Sequence, residues 1–469
     1  MIVRLALRSL TTRPLRTAVL AAGFGFGIAI MVELLGVGEV ILEQAHAPAL
    51  SGGGDILISS AGGPLDAARF LLSNVLKAAD LRPRIAAASP SRRATLYLIT
   101  PDMTLPVTVR GGVPSLQRAI GEPEVAQVAS WTDEPDDARW TNPGDGDVLR
   151  SMDRFHPIPR LDESEVVSGF SRTMGSSWAE WLYFNGRSAD GRVRFYLTFI
   201  TGPRIGADKR SAAVRLQLDR DGRSTSYTTI ASIDERALLE RAPDLDIAGN
   251  TVRLEGSRYR IALAVQNARG EITLDASLAQ SVPPATIRGA RGWMSGYVVP
   301  VLSGALHGAL RVDGQTIGLD GASGYHDHNW GFWEGVTWQW GQVAHDDLSF
   351  VYGRVFPPAS VADASRVPGF LGVLGPNGPL GFSTSVDISE EGDGSAPKAV
   401  KVHAIGARID LRLEFAVEES EQTRMGLTLA AGGAMTFLQL GGRYRVCGRA
   451  GDRDVSFTAR GSAETFRHQ

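Results

Sequence analysis

The chain has 469 residues, a formal net charge of -3 and one cysteine, Cys447. This length exceeds that of one ordinary domain, so we expect at least two hydrophobic cores. The weak negative charge and the lack of a basic run argue against a nucleic-acid-binding protein. A lone cysteine cannot form an internal disulfide, so no disulfide framework is expected.

The first strong pattern is an apolar run near the N-terminus. Four arginines precede it, and its uncharged part covers residues 18–32 before weaker apolar sequence continues to residue 42. Such a run can span a membrane once, and flanking arginines are retained on the cytoplasmic side. We therefore expect a single-pass anchor over residues 1–43 in the inner or plasma membrane, with the bulk of the chain in the periplasm. A signal peptide cleaved after Ala45-His46-Ala47 is the alternative.

Residues 44–125 have a mixed α and β pattern. "PLDAARFLLSNVLKAA" has helical spacing, and "ATLYLIT" and "LPVTVRG" have the alternation of strands. With the preceding apolar run, this segment resembles the first membrane helix and early extracytoplasmic domain of ABC-transporter permeases of the macrolide- and lipoprotein-export type. No later stretch approaches 18 apolar residues. The resemblance therefore implies an anchor with a small α+β segment beside an ABC exporter, and not a pore.

The remainder of the chain is expected to be mainly β. A linker rich in Pro, Asp, Glu and Gly covers residues 126–147. Short segments that alternate apolar and polar residues then follow to the C-terminus, most of them ending in Gly, Asp or Asn. Such spacing without intervening helices favours β-sandwiches or up-and-down barrels. We place two all-β domains at residues 148–340 and 341–469.

One run, "GYHDHNWGFWEGVTWQWG" at residues 324–341, combines protonatable side chains with six aromatic rings. In an extended strand, alternate residues point to opposite faces. The first face would then carry His326, His328 and Trp330, and the second Tyr325, Asp327 and Asn329. Trp338 and Trp340 also share one face. An aromatic-lined cavity with a few protonatable groups is typical of a small-molecule site.

Three roles fit these residues. The first is acid catalysis on an alkene, with Asp327 or His328 as proton donor, because a carboxylic acid in apolar surroundings keeps its proton. Indole faces would stabilise the resulting cation. The second is a metal site built on the His-x-His pair, for which no third ligand is evident. The third is a structural cluster of hydrogen bonds and core indoles. The residues alone leave all three roles open. For acid catalysis, the candidates are His326, Asp327, His328 and Trp330, with Tyr325, Asn329, Trp338 and Trp340 for substrate binding.

Three blocks carry a second resemblance. "MDRFHPIP" at residues 152–159, "SWAEWLYFNG" at 177–186 and "GYHDHNWG" at 324–331 resemble the carotenoid 1,2-hydratase (hydroxyneurosporene synthase) family. The resemblance implies two lipocalin-like β domains with a site near their junction. It also implies water addition or cyclisation at a double bond of an apolar isoprenoid or polyene. His328 and Trp330 match the His-x-Trp element of the family. The Tyr-x-Asp element is altered: Tyr352 matches its tyrosine and becomes a further catalytic candidate, but Arg354 stands in the place of its aspartate. With this resemblance we favour acid catalysis, without a metal or another cofactor.

The second block adds Glu180, Trp181 and Tyr183 as candidate substrate-binding residues. Strand alternation places Glu180 on the face opposite Trp181 and Tyr183. The alternative to an enzyme is a non-catalytic lipid carrier that works with an ABC exporter.

Overall fold

The computed structural model describes residues 81–99, 104–122, 131–137, 144–162, 174–188, 192–220, 223–392, 394–423 and 435–468, with a few isolated residues besides. Two compact units divide the chain, one formed by residues 1–64 and 78–141 and the other by residues 65–77 and 142–469. Within the described part of the chain, no helix combines the length and hydropathy needed to cross a membrane. The anchor predicted over residues 1–43 lies outside the described residues, apart from Leu15.

The first unit contains an antiparallel hairpin. Its strands are β1 (Ser91–Ile99) and β2 (Thr104–Gly112), which confirms the two strands predicted in this segment. A short helix, α1 (Pro114–Ala119), follows and begins at a proline. Proline suits the first helical position because its missing N–H has no intrahelical partner there. The helix predicted over residues 64–79 lies outside the described residues.

Among the described residues of the second unit, helix α2 (Asp145–Met152) comes first and a twelve-stranded antiparallel sheet follows. Helix α3 (Glu235–Arg241) connects β6 to β7. The strands of this first sheet are β3 (Trp178–Arg187), β4 (Val193–Arg204), β5 (Lys209–Arg220), β6 (Arg223–Asp234), β7 (Leu245–Ile247), β8 (Asn250–Glu255), β9 (Arg258–Val265), β10 (Ala268–Asp275), β11 (Val282–Arg288), β12 (Met294–Val312), β13 (Gln315–Gly318) and β14 (Ala322–Phe332).

The first sheet curls into a nearly closed barrel. Its main path runs β6-β5-β4-β3-β14-β12-β10-β9-β8-β7, and the end strands β6 and β7 lie against each other. The burial of β9 alternates residue by residue, so one row of its side chains points into the barrel. The apolar part of the interior includes Val148, Leu149 and Met152 of α2. This helix therefore contributes to the barrel core.

A second, nine-stranded antiparallel sheet follows and is also nearly closed, with β18 against β20. It begins at Thr337, after a turn in which the N–H of Val336 donates to the carbonyl of Trp333. The boundary predicted at residues 340/341 falls inside its first strand. The strands are β15 (Thr337–His345), β16 (Leu348–Phe356), β17 (Phe370–Gly375), β18 (Gly378–Ser383), β19 (Ser385–Glu391), β20 (Ala399–Gly406), β21 (Ile409–Thr423), β22 (Met435–Ala450) and β23 (Arg453–His468).

Strand β14 is buried on both faces, unlike a strand that alternates between core and water. One face points into the first barrel. The other face meets an aromatic cluster to which both sheets contribute, including Tyr325 from β14 and Trp340 from β15. The fold is therefore mainly β, with two nearly closed sheets, and it places the aromatic-rich motif where the two sheets pack together.

Candidate functional site

Strand β14 separates the candidate residues into two groups, as alternation predicts. His326, His328 and Trp330 are at most 1% exposed and point into the first barrel. Asp327 is 5% exposed and points to the opposite face, between the sheets. We call the polar residues on the barrel side of β14 the interior cluster (Asp153, His156, Glu180, Arg210, His326 and His328). We call the residues on the side between the sheets the interface cluster (Tyr183, Tyr297, Tyr325, Asp327, Asn329, Trp338, Trp340 and Glu464).

Glu180 of β3 is the centre of the interior cluster. Its carboxylate accepts hydrogen bonds from the backbone N–H of His156 at 3.0 Å, from the ring of His156 at 2.7 Å and from Nε2 of His328 at 3.0 Å. The guanidinium of Arg210 lies 3.8 Å away. Burial raises the pKa of Glu180, but His156 and His328 outweigh it, so the net pKa lies below the usual value. Glu180 is therefore a buried carboxylate.

Asp153 pairs with the second histidine. Its Oδ2 atom accepts from the Tyr259 hydroxyl at 2.5 Å and contacts Nε2 of His326 at 3.0 Å. The other ring nitrogen of His326 faces the carbonyl of Tyr183 at 2.9 Å. Both ring nitrogens of His326 therefore face oxygen atoms. The interior cluster thus places buried acidic side chains against buried imidazoles and the Arg210 guanidinium.

His156, Glu180 and His328 are also close enough to share a metal ion, since their potential ligand atoms lie within 4.8 Å of one another. Ligands about 2.1 Å from a tetrahedral zinc ion are separated by roughly 3.4 Å. The imidazole-to-carboxylate distances of 2.7 and 3.0 Å are shorter and fit direct N–H···O bonds. We therefore interpret this group as an ion-pair network that holds β3 and β14 together.

The interface cluster contains a chain of hydrogen bonds that ends on Asp327. Its Oδ2 atom accepts from the Tyr325 hydroxyl at 2.7 Å, and its Oδ1 atom accepts from the side-chain amide of Asn329 at 2.7 Å. The Tyr325 hydroxyl lies 2.7 Å from that of Tyr297. The indole N–H of Trp340 donates to Tyr297 at 3.0 Å. Both sheets therefore contribute to the surroundings of one carboxyl group.

Burial raises the pKa of Asp327 well above its ordinary value, although the hydrogen bonds from Tyr325 and Asn329 act in the opposite direction. Nearby Glu464 raises this pKa further. Burial likewise raises the pKa of Tyr325 and of Tyr297 well above the usual range, so both hydroxyls keep their protons. Asp327 is thus a buried carboxyl group with a raised pKa, linked to two neutral phenols.

Glu464 of β23 is a second carboxyl group in this cluster. It accepts hydrogen bonds from the indole N–H of Trp338 at 3.0 Å and from the Tyr183 hydroxyl at 3.4 Å. Burial raises its pKa to about 7. Glu464, Trp338, Tyr297 and Trp181 all keep partial contact with solvent, whereas Asp327 does not.

The structure distributes the remaining predicted residues as follows. Trp338 packs on Phe437 and Phe466 of the second sheet, with ring centroids 5.3 and 4.7 Å away. Trp181 stacks obliquely on Trp333 at 4.6 Å. The predicted faces of Glu180 and Tyr183 are confirmed, because these residues lie in the interior and interface clusters respectively.

Tyr352 lies apart from both clusters. Its hydroxyl is buried in the interior of the second sheet, 3.0 Å from that of Tyr444. The sequence prediction placed Tyr352 beside the acid. In the structure, Tyr352 belongs to the row of β16 side chains that points into the interior of the second sheet. Sequence reasoning missed Asp153, although it lies in the quoted block at residues 152–159. It also missed Tyr297 and Glu464, which carry no local motif.

Glu464 gives the fold a testable pH dependence. Its folded-state pKa of about 7 exceeds the ordinary value of 4.5, so protonation favours folding. This contribution is complete below pH 4.5 and is lost as pH rises through 7. Glu464→Gln should therefore raise the free energy of unfolding by roughly 1–3 kcal/mol near pH 8 and have little effect near pH 4. Urea denaturation at both pH values measures the difference, and a pH-independent effect would contradict it.

Comparisons with known proteins give limited information. No protein-family model matches the chain, and no curated protein is significantly similar to it. Neither result supports the resemblance of residues 1–125 to transporter permeases.

Solved structures show a remote likeness. A protein described as AttH from Nitrosomonas europaea is 15% identical, with a TM-score of 0.44, over 66% of this chain and 98% of its own. Kievitone hydratase from Nectria haematococca is 13% identical, with a TM-score of 0.42, over 68% and 98%. The protein CghA is 11% identical, with a TM-score of 0.44, over 68% and 97%. Each TM-score is below 0.5, so the chemistry of this chain is inferred from its own side chains.

Proposed function

We propose that this protein is an acid-catalysed hydratase or cyclase acting on a carbon–carbon double bond of an apolar isoprenoid or polyene. One observation carries the proposal. Asp327 is buried, its pKa is raised well above normal by burial, and it is hydrogen-bonded to Tyr325 and Asn329 among aromatic rings. A carboxyl group that stays protonated near neutral pH is the general acid that an alkene requires.

The hydrogen-bond chain supplies a route for the proton. When Asp327 is protonated, it can donate to Tyr325, Tyr325 to Tyr297, and Tyr297 to a bound molecule. Tyr297 is half-buried, and its ring lies 5.8 Å from that of Phe370. Transfer of one proton to an alkene carbon leaves a carbocation on the other carbon and a carboxylate on Asp327. Solvent then returns the proton to Asp327.

The aromatic walls stabilise the cation. The rings of Trp338, Trp340 and Tyr297 lie in or beside the interface cluster, and each face can contribute about 1–2 kcal/mol by cation–π attraction where water is excluded. Attack by water, with loss of a proton, completes hydration. Attack by a second double bond, followed by loss of a proton, completes cyclisation. Glu464, with a pKa of about 7, is suited to accept that proton.

The interior cluster has a positioning role in this proposal. His326, His328 and Trp330 lie on the far face of β14 from Asp327, so they do not touch a substrate held by the interface cluster. The contacts of His326 with Asp153 and of His328 with Glu180 fix the strand that carries the acid.

The most specific form of the proposal is a carotenoid 1,2-hydratase-like reaction, as the sequence resemblance implies. Arg354 occupies the position of the aspartate in the Tyr-x-Asp element of that family, and its guanidinium donates to the carbonyl of Ala364 at 3.2 Å. Asp327 then takes the role of the acid. The predicted N-terminal anchor would hold the enzyme at the periplasmic face of the membrane, beside an ABC exporter. Location and partner rest on sequence alone.

Lipid extracts test whether the protein is an enzyme. Extract from a deletion strain, incubated with the purified protein, should yield a compound that gains the mass of one water or changes its retention at constant mass. The boiled protein is the control. If a lipid co-purifies with the protein but incubation yields no new compound, the result would contradict catalysis and support the lipid-carrier alternative.

A further inference from the structure

A second polar group lies on the same face of the first sheet as Asp327. It consists of Asn185, Arg194, Tyr196 and Asp219, which are 4–7% exposed. We call these residues the polar quartet. Each has one buried polar atom without a hydrogen-bond partner among the described residues: Nδ2 of Asn185, one terminal guanidinium nitrogen of Arg194, the hydroxyl of Tyr196 and Oδ2 of Asp219.

Strand register places the quartet beside the acid. Tyr325 of β14 pairs with Asn185 of β3, and Asn185 pairs with Tyr196 of β4. Arg194 of β4 pairs with Asp219 of β5 two residues further along the strands, on the same face. Neighbouring strands are about 4.8 Å apart, so the Tyr196 backbone lies roughly 10 Å from that of Tyr325.

Tyr183 connects the two groups. Its ring is stacked with that of Tyr196 at a centroid distance of 6.4 Å and lies edge-on to that of Tyr325 at 6.2 Å. The quartet and the interface cluster are therefore neighbouring parts of one sheet face. The second sheet covers this face, since Gln342 donates to Asn185 at 3.0 Å and Arg194 donates to Glu419 at 2.6 Å.

Four unpartnered atoms in one place require a physical explanation. Folded proteins satisfy the large majority of buried polar atoms, because an unsatisfied one loses its hydrogen bonds to water without replacement. Asn185, Arg194 and Tyr196 can each donate, and Asp219 can accept. A hydroxyl group accepts up to two hydrogen bonds and donates one, so a single hydroxyl can satisfy Arg194, Tyr196 and Asp219. The side chain of Asn185 also lies within hydrogen-bonding reach of Tyr183.

Arg194 is already paired with acidic side chains. Its terminal nitrogen lies 3.7 Å from Asp219 and 2.6 Å from Glu419. Burial and the nearby charge of Arg194 lower the pKa of Arg187, so groups of both signs surround the quartet. The hydrogen-bonding groups of the quartet, and not its net charge, therefore indicate the ligand.

We infer that the substrate is an alcohol: an apolar chain whose hydroxyl group binds the polar quartet while a double bond lies at the interface cluster. This inference rests on the proposed function and narrows its substrate from a hydrocarbon polyene to a hydroxylated one. A spacing of roughly 10 Å suits a double bond several carbons away from the hydroxyl.

Farnesol and farnesene test the inference, because they share a carbon skeleton and farnesene has a further double bond in place of the hydroxyl group. Quenching of tryptophan fluorescence in the full-length protein should give farnesol an affinity at least about tenfold higher than farnesene. Tyr196→Phe and Arg194→Met should reduce that ratio at least threefold without weakening farnesene. Equal affinities in the wild-type protein, no binding of either compound, or an unchanged ratio in both variants would overturn the inference.

Tyr227→Phe is the matched control. Tyr227 is also a largely buried tyrosine of the first sheet, but its hydroxyl donates to Asp313 at 2.7 Å, away from the quartet. The farnesol preference should survive this change, and its loss would contradict a specific role for the quartet. Conversion of extract by a wild-type protein that shows no preference for farnesol would defeat this inference alone and leave the proposed function standing.

Discussion

Asp327→Asn should lower turnover by at least about a hundredfold while ligand affinity changes by less than about threefold. General acid catalysis typically contributes 10²–10⁴-fold to a rate, and an amide cannot supply the proton. The replacement preserves shape and keeps an oxygen that can accept from Tyr325 or Asn329. Conversion of the deletion-strain extract gives the rate, and quenching of tryptophan fluorescence gives the affinity.

Tyr352→Phe provides the contrast. The sequence assigned this residue to the same site, but its hydroxyl lies in the second-sheet interior, 3.0 Å from that of Tyr444. We expect its turnover to remain within about twofold of wild type once both proteins are equally folded. Wild-type turnover by Asp327→Asn, or a larger loss in Tyr352→Phe, would contradict the assignment of Asp327 as the acid.

Glu180→Gln should reduce the free energy of unfolding by roughly 3–5 kcal/mol, the usual cost of removing one partner from a buried ion pair. Arg210 and His328 would both remain fully buried, with the carboxylate that faces them neutralised. Urea denaturation near pH 7 measures this loss.

Glu240→Gln serves as the control for that experiment. Glu240 forms an ion pair with Arg236 on α3, but both side chains are largely exposed, at 58% and 85%. Exposed pairs of this kind contribute little, so the change should be below about 0.5 kcal/mol. Equal effects from the two substitutions would contradict a buried network centred on Glu180.

Local periodicity predicts much of this fold. The alternation of apolar and polar residues identifies most strands, and it assigns residues 325–330 of β14 to the correct faces. This works because side chains alternate along any extended strand, whatever its partners are. Alternation also places Glu180 opposite Tyr183, as the structure confirms.

The partners of each face depend on pairing between distant segments, which local patterns do not encode. Glu464 reaches the site because β23 pairs with β15 across more than a hundred residues, with Trp340 opposite Glu464. Tyr297 reaches it because β12 pairs with β14, with Tyr297 opposite Asn329. Neither residue belongs to a recognisable motif. The same limitation explains why Tyr352 was misplaced. Its strand was predicted, but the sequence did not indicate that its side chain points into the interior of the second sheet.

The most direct test of the account asks whether a proton from solvent reaches a carbon atom. Deletion-strain extract would be incubated with the purified wild-type protein or with Asp327→Asn in deuterium oxide, and the products analysed by mass spectrometry and NMR. The account predicts one non-exchangeable deuterium on carbon in the wild-type product, formed at least about a hundredfold more slowly by Asp327→Asn. A product without deuterium on carbon, or equal incorporation by both proteins, would contradict acid catalysis by Asp327.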